Sequence, residues 1–327
     1  MPVSDLQTNA SKRILLLGAT GTIGQATAKE LKARGHDLVC FIREGSDNPV
    51  IAELGTFATL RFGDVTDKVS LAEQGFCDER FDAVISCLAS RTGVAKDAWA
   101  VDYQANMDAL ALAVDADAKQ FVLLSAICVQ KPKLAFQKAK LAFEDALISS
   151  ALSHSIVRPT AFFKSLSGQV ERVKNGKAYM MFDDGELTAC KPISDGDLAA
   201  YIADCLDRED LKNQILPIGG PGPAITPKQQ GDFLFSLLDQ PPRMQRVPPS
   251  LLKWISRALA VMSKLYPPLA ERAEYARIGH YYATESMLML DQATGEYRED
   301  LTPSTGQETL FDHYRDLLGK LVNSGPT

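Results

Sequence analysis

Arg13-Ile14-Leu15-Leu16-Leu17-Gly18-Ala19-Thr20-Gly21-Thr22-Ile23-Gly24 is the stretch whose reading decides the fold of this chain. Its first five residues are an apolar run without polar alternation, the mark of a strand buried on both faces in a parallel sheet. Glycines at 18, 21 and 24 follow, then a helix-forming segment over 25–34, a stop at Gly35 and a second strand over 37–42. A strand, a Gly-rich turn, a helix and a strand in about thirty residues require a right-handed crossover. In that context each glycine has its own task. Gly18 permits the tight turn, Gly21 lets backbone approach a pyrophosphate, and Gly24 lets the helix pack on the strand. The helix start, with Thr20, Thr22 and Ile23 beside it, offers unpaired N–H groups to phosphate oxygens.

Outward from this unit the alternation continues. Strands are expected over 58–62, 81–88, 120–125 and 155–157, with helices over 98–113 and 134–149. Alternating strands and helices imply an α/β fold, a doubly wound Rossmann-type parallel sheet. After residue 160 the rhythm loosens. Ser194 or Asp195 caps a further helix, and 214–218 reads as one more strand before a Gly/Pro cluster. The organisation expected is a flexible N-terminus over 1–12, an NADP(H)-binding domain over 13–160, and a smaller C-terminal substrate-binding lobe over 161–327. Residues 192–220 of that lobe return to the core.

The second strand ends Phe41-Ile42-Arg43, where NAD binders usually place an acid. An Arg suits a 2′-phosphate instead, worth about 1.5–3 kcal/mol as a charge-assisted pair. Arg43, with a hydrogen bond from Ser46, therefore points to NADPH. Gly63-Asp64-Val65 closes the third strand, where the Asp64 carboxylate can accept from the adenine amino group. Leu88 and Ala89 end the fourth strand beside the ribose and pyrophosphate, and Pro159 ends the sixth.

Composition narrows the function classes. The 327 residues carry 35 basic and 41 acidic side chains, a net charge of −6, without a long Lys/Arg run, which argues against a nucleic-acid partner. Six cysteines and four histidines are scattered without metal-ligand spacing, so no metal site is expected. Buried, reduced thiols and the lack of a secretory pattern in the first thirteen residues suit a cytoplasmic protein. The apolar stretch 251–265 is broken by Lys253, Arg257 and Lys264, too short and too charged for a transmembrane segment. With Trp254 it reads either as a helix over the substrate pocket or as a peripheral membrane contact. Oligomeric state leaves no signal in the sequence.

The glycine motif, Gly63-Asp64-Val65, Ser125 and the Lys140 helix resemble the extended, atypical short-chain dehydrogenase/reductases. In most of that superfamily a Tyr four residues before the Lys protonates a carbonyl, while the Lys binds the nicotinamide ribose. Here that position is Phe136, which has no proton to give. A narrower resemblance covers nearly the whole chain. It rests on 134–144 (LAFQKAKLAFE), 157–173 (VRPTAFFKSLSGQVERV), 189–194 (ACKPIS), 286–291 (SMLMLD), 294–297 (TGEY) and 302–304 (TPS). These segments are similar to the NADPH-dependent divinyl chlorophyllide a 8-vinyl reductases of (bacterio)chlorophyll synthesis.

That resemblance implies divinyl (proto)chlorophyllide a as substrate and reduction of its 8-vinyl group. Hydride added to the outer vinyl carbon would send charge into the macrocycle, so a Tyr aimed at an alkoxide has nothing to stabilise. Catalytic roles then fall to Lys140 and Ser125, and Phe136, Phe162, Phe163 and Lys164 are candidates to meet the pigment. Other readings of the same residues are an isoflavone-reductase-like enzyme acting on another conjugated alkene, and a non-catalytic NADP(H)-binding sensor or assembly factor.

Overall fold

In the computed structural model, residues 10–45, 49–266 and 268–323 are described. Seven strands share one sheet: β1 (Arg13–Leu17), β2 (Asp37–Arg43), β3 (Thr59–Gly63), β4 (Ala83–Ser86), β5 (Gln120–Leu124), β6 (Ser153–Pro159) and β8 (Gln214–Ile218). Their order is β3-β2-β1-β4-β5-β6-β8, and every pairing is parallel. The chain order reverses between β1 and β4, leaving a crevice at their carboxyl ends where such sheets bind nucleotides.

The apolar run that opens the motif becomes the central strand. Ile14, Leu15, Leu16 and Leu17 are all fully buried, and alternate residues feed opposite cores. Ile14 and Leu16 pack with Ile23, Ala28 and Leu31, while Leu15 and Leu17 pack with Phe121 and Phe143. The helix Thr22–Ala33 starts three residues earlier than its sequence pattern indicates, directly on Gly21 as N-cap. Its chain turns back at Gly35, whose φ of +81° suits glycine.

Around 98–113 the regular helix gives way to another form. A short α segment, Ala95–Ala98, runs into a π-helix, Trp99–Ala105, and then into α-helix Asn106–Asp115. The Asn106 side-chain amide donates to the carbonyls of Val101 and Asp102 at 3.1 and 3.2 Å, and Ser86 donates to its Oδ1 at 2.6 Å. A buried side chain thus satisfies backbone groups that the widened turn exposes. Hydrophobic periodicity is blind to such a bond.

Beyond β6, helix Asp195–Asp204 is capped by the Ser194 hydroxyl, which accepts from the Asp197 N–H at 3.0 Å. It packs on Thr22–Ala33, with Arg34 paired to Asp204 at 2.7 Å, and β8 then extends the sheet beside β6. Two short strands, β7 (Tyr179–Phe182) and β9 (Met244–Val247), pair in parallel outside the main sheet. With helices Pro227–Leu237 and Leu310–Asn323 they surround a separate core containing Phe163, Met181, Phe235 and Tyr314. Helices Pro249–Met262 and Leu269–Thr284 pack against each other.

Candidate active site

The glycine turn is shaped for a ligand that must come close. A Cβ on Gly18 would lie 2.6 Å from the Cys87 carbonyl oxygen, and one on Gly24 would lie 2.1 Å from the Gly18 oxygen. Neither position admits a side chain. Gly21 donates its N–H to Gly18 at 3.0 Å, which turns the first N–H groups of Thr22–Ala33 toward the crevice. There, a cleft of about 450 Å³ is lined by Gly18, Thr20, Gly21, Arg43 and Val65, and by Leu88 and Ala89 after β4. These side chains and glycines fit a dinucleotide with its phosphates on the helix start.

Three sequence candidates sit differently from that lining. Ile23 is buried in the core, so only its backbone reaches the helix start. The Asp64 Oδ1 accepts from the N–H and hydroxyl of Thr66 at 2.9 and 2.7 Å, and these bonds hold its carboxyl below the usual range. Lys164, expected near the substrate, donates instead to the Thr22 hydroxyl at 2.9 Å, at the first turn of the helix. Ser46 lies outside the described residues. Arg91, in the loop after β4, lines the cleft as a second cation and had no motif to reveal it.

Lys140, on helix Ala135–Ile148, is nearly buried. Its ammonium lies 3.0 Å from Asp102 Oδ1 and 3.5 Å from the carbonyl of Leu88 in the cleft wall. Asp102 comes from the π-helix, is only 1% exposed, and has an Oδ2 without a hydrogen-bond partner. Sequence reasoning missed Asp102, because only the packing of two helices brings it to Lys140. The Ser125 hydroxyl is also buried and donates to Glu144, whose carboxylate in turn pairs with Arg158. That chain ties β5, β6 and the Lys140 helix together.

A second hollow, of about 490 Å³, opens beyond β5 and β6. Pro159 and Phe162 form part of its wall, with Cys128, Tyr282 and Met287 among the residues around it. The lining is mainly apolar, the usual character of a small-molecule site. Phe163 faces away into the core beside Val170 and Tyr179, with its ring 5.2 Å from that of His313. Phe136 packs with Ile127, Cys128 and Ile278 in the cluster next to the hollow.

Glu285 borders the same hollow, clamped by Lys131, Lys133 and the Tyr297 hydroxyl. Burial alone would push its carboxyl up, but those three hydrogen bonds outweigh burial and hold it below the usual range. Among the described residues no group of three or more His, Cys, Asp or Glu is placed to hold a metal ion.

Comparison with known proteins fits this geometry. A family model described as NAD(P)H-binding matches residues 18–209. The divinyl chlorophyllide a 8-vinyl-reductase of Arabidopsis thaliana, a chloroplastic protein, is 46% identical over 97% of this chain and 81% of its own length. That of Oryza sativa subsp. indica is 49% identical over 93% of this chain and 78% of its own length. The solved structure of AtPrR2 with NADP+ and (+)pinoresinol superposes with a TM-score of 0.67 at 16% identity, covering 94% of this chain and 98% of that one. That last likeness is one of fold. Identity of 46% and 49% over 97% and 93% of its length means that this chain belongs to the divinyl chlorophyllide a 8-vinyl-reductase family.

Proposed function

We propose that this protein reduces the 8-vinyl group of 3,8-divinyl (proto)chlorophyllide a to ethyl, with NADPH as reductant, in (bacterio)chlorophyll synthesis. The observation that carries the reading is an apolar hollow beside a dinucleotide cleft, with Phe136 where carbonyl reductases of this superfamily keep a Tyr. An alkene conjugated to a macrocycle needs no donor to an alkoxide. It needs position, and orientation near 3–3.5 Å supplies much of the rate.

NADPH, when bound, supplies the hydride. Arg43 faces the 2′-phosphate, and Lys164 with the N–H groups after Gly21 meets the pyrophosphate. Lys140 binds the nicotinamide ribose, held upright by Asp102. Phe162 and Pro159 give the pigment edge an apolar wall, and Ser125 supports that wall through Glu144 and Arg158. The smaller lobe supplies the outer side of the pocket. Six unpaired cysteines, four of them buried, support a reducing compartment such as the cytoplasm.

Incubation with divinyl chlorophyllide and NADPH tests the reaction. A small blue shift of the Soret band, with deuterium from labelled NADPH on the outer vinyl carbon, is the expected result. An unchanged spectrum beside intact nucleotide binding would mean a sensor, and label on the inner carbon would reverse the polarity.

A membrane contact is part of the same reading. Among the described residues no helix is long and apolar enough to cross a membrane. Residues 241–268, however, contain Arg243, Arg246, Lys253, Arg257 and Lys264 and no carboxylate, in a chain of net charge −6. Trp254 and Leu265 on this segment are 67% and 92% exposed. Cations beside exposed apolar side chains suit the surface of an anionic bilayer, where a hydrophobic pigment collects. Co-sedimentation with phosphatidylglycerol vesicles, lost with phosphatidylcholine or in Lys253→Glu/Arg257→Glu, is the expected outcome. Equal binding to both lipids, or none, would refute it.

A further inference from the structure

We propose that Tyr282 gives the proton that completes vinyl reduction, at the inner vinyl carbon. The inference rests on the reaction proposed above and adds its acid. Phe136 cannot serve, and the helix that carries Lys140 offers no phenol in its place.

A phenol arrives from elsewhere. Ile278 and Tyr282 are one turn apart on helix Leu269–Thr284 and so share a face. Ile278 and Phe136 converge on Gly93, where a Cβ would lie 3.0 Å from the former and 3.5 Å from the latter. That face therefore lies over the very residue that replaces the superfamily's Tyr. Four residues on from Ile278, Tyr282 lines the apolar hollow, its hydroxyl 3.9 Å from the Cys128 sulfur.

The other polar groups of the hollow are unsuited to the task. The Thr160 hydroxyl donates to the Lys191 carbonyl, Ser165 and Thr188 carry aliphatic hydroxyls far less acidic than a phenol, the Cys190 thiol is buried against the Ile225 carbonyl, and Gln230 is an amide. Glu285 is ionised and held by two lysines and a tyrosine hydroxyl. Tyr281, next in sequence, donates to the Cys128 and Lys131 carbonyls at 2.9 and 3.2 Å and is committed to structure. Tyr282 alone among these combines a phenolic O–H, a place in the wall and a hydroxyl with no strong acceptor; burial raises the phenol well above its ordinary value, so it stands protonated at neutral pH, ready for a carbanion basic enough to take the proton. The side chain as a whole is half-exposed, although its hydroxyl contact with Cys128 is partly buried.

The step balances simply. Two electrons reach the outer carbon as hydride from NADPH, and the former π pair becomes a carbanion at the inner carbon, spread over the macrocycle. The Tyr282 O–H bond breaks, a C–H bond forms at the inner carbon, and water returns a proton to the phenolate. General acid catalysis of this kind contributes about a hundredfold or more.

Full-length Tyr282→Phe is compared with wild type in D2O, reading kcat, KM for the pigment, NADPH affinity and the configuration of the new CHD centre. Expected are a kcat about a hundredfold lower, KM and NADPH affinity within about threefold, and loss of the single configuration that wild type gives. A Tyr282→Phe protein that keeps its turnover, or that turns over slowly but still labels one face, overturns the proposal. So does a matching loss in Cys128→Ala with Tyr282 intact, which would move the donor to sulfur. Wild type itself failing to reduce the vinyl group would instead refute the reaction.

Discussion

Replacing Lys140 by Met should expose how much of this site is also a folding element. Lys140 and Asp102 Oδ1 form an ion pair at 3.0 Å with side chains 9% and 1% exposed, and Asp102 Oδ2 has no hydrogen-bond partner. Removing the ammonium leaves a carboxylate in a place where water cannot reach it. Breaking a buried pair from one side costs about 3–5 kcal/mol. For 327 residues the unfolding entropy is about 0.7 kcal/mol per kelvin, so the melting temperature should fall by about 4–7 °C. Adding Asp102→Asn to Lys140→Met removes the orphan charge at almost unchanged volume and should recover most of that loss. Calorimetry of the two single variants and the double variant gives the coupling directly. The reasoning fails if Lys140→Met melts within about 1 °C of wild type, or if the double variant is no more stable than Lys140→Met. NADPH titrations on the same proteins separate the roles, because Asp102→Asn keeps the ammonium while Lys140→Met does not.

Other expectations follow from single contacts. Arg43→Ala should weaken NADPH binding about tenfold to a hundredfold and leave NADH binding nearly unchanged, which isothermal titration with both nucleotides checks. Gly24→Ala should abolish NADPH binding and lower stability, since its Cβ would sit 2.1 Å from the Gly18 oxygen; titration and thermal melting report both. Glu285→Gln should destabilise the protein at neutral pH. The folded carboxyl is held below the ordinary value of about 4.3, so its contribution is complete above that pH and disappears as pH falls through the folded value. Denaturant melts of both proteins from pH 7 to pH 3.5 should therefore converge toward the acid end.

Local pattern alone determined the nucleotide half of this protein. Arg13–Leu17 is apolar at every position after the first, and only a central parallel strand buries both faces of such a run. Gly24 carries its meaning in sequence because the contact that forbids its Cβ is made within the same turn, to Gly18, whereas the carbonyl that forbids one on Gly18 comes from Cys87 at the end of β4. Arg43 could be read because it ends a strand whose position in the fold was already fixed. What only tertiary structure decided lies where distant segments meet. Asp102 reaches Lys140 through a π-helix that hydrophobic periodicity cannot register, since its stabilising bonds come from the side chain of Asn106. Lys164 turns to Thr22 across 142 residues of chain, and Tyr282 reaches the Cys128 sulfur across 154. Phe162 and Phe163 are adjacent and chemically alike, yet one lines the hollow and the other fills a core. Local physics specifies how a segment folds, whereas these partners are chosen by packing between segments, which no short stretch of sequence encodes.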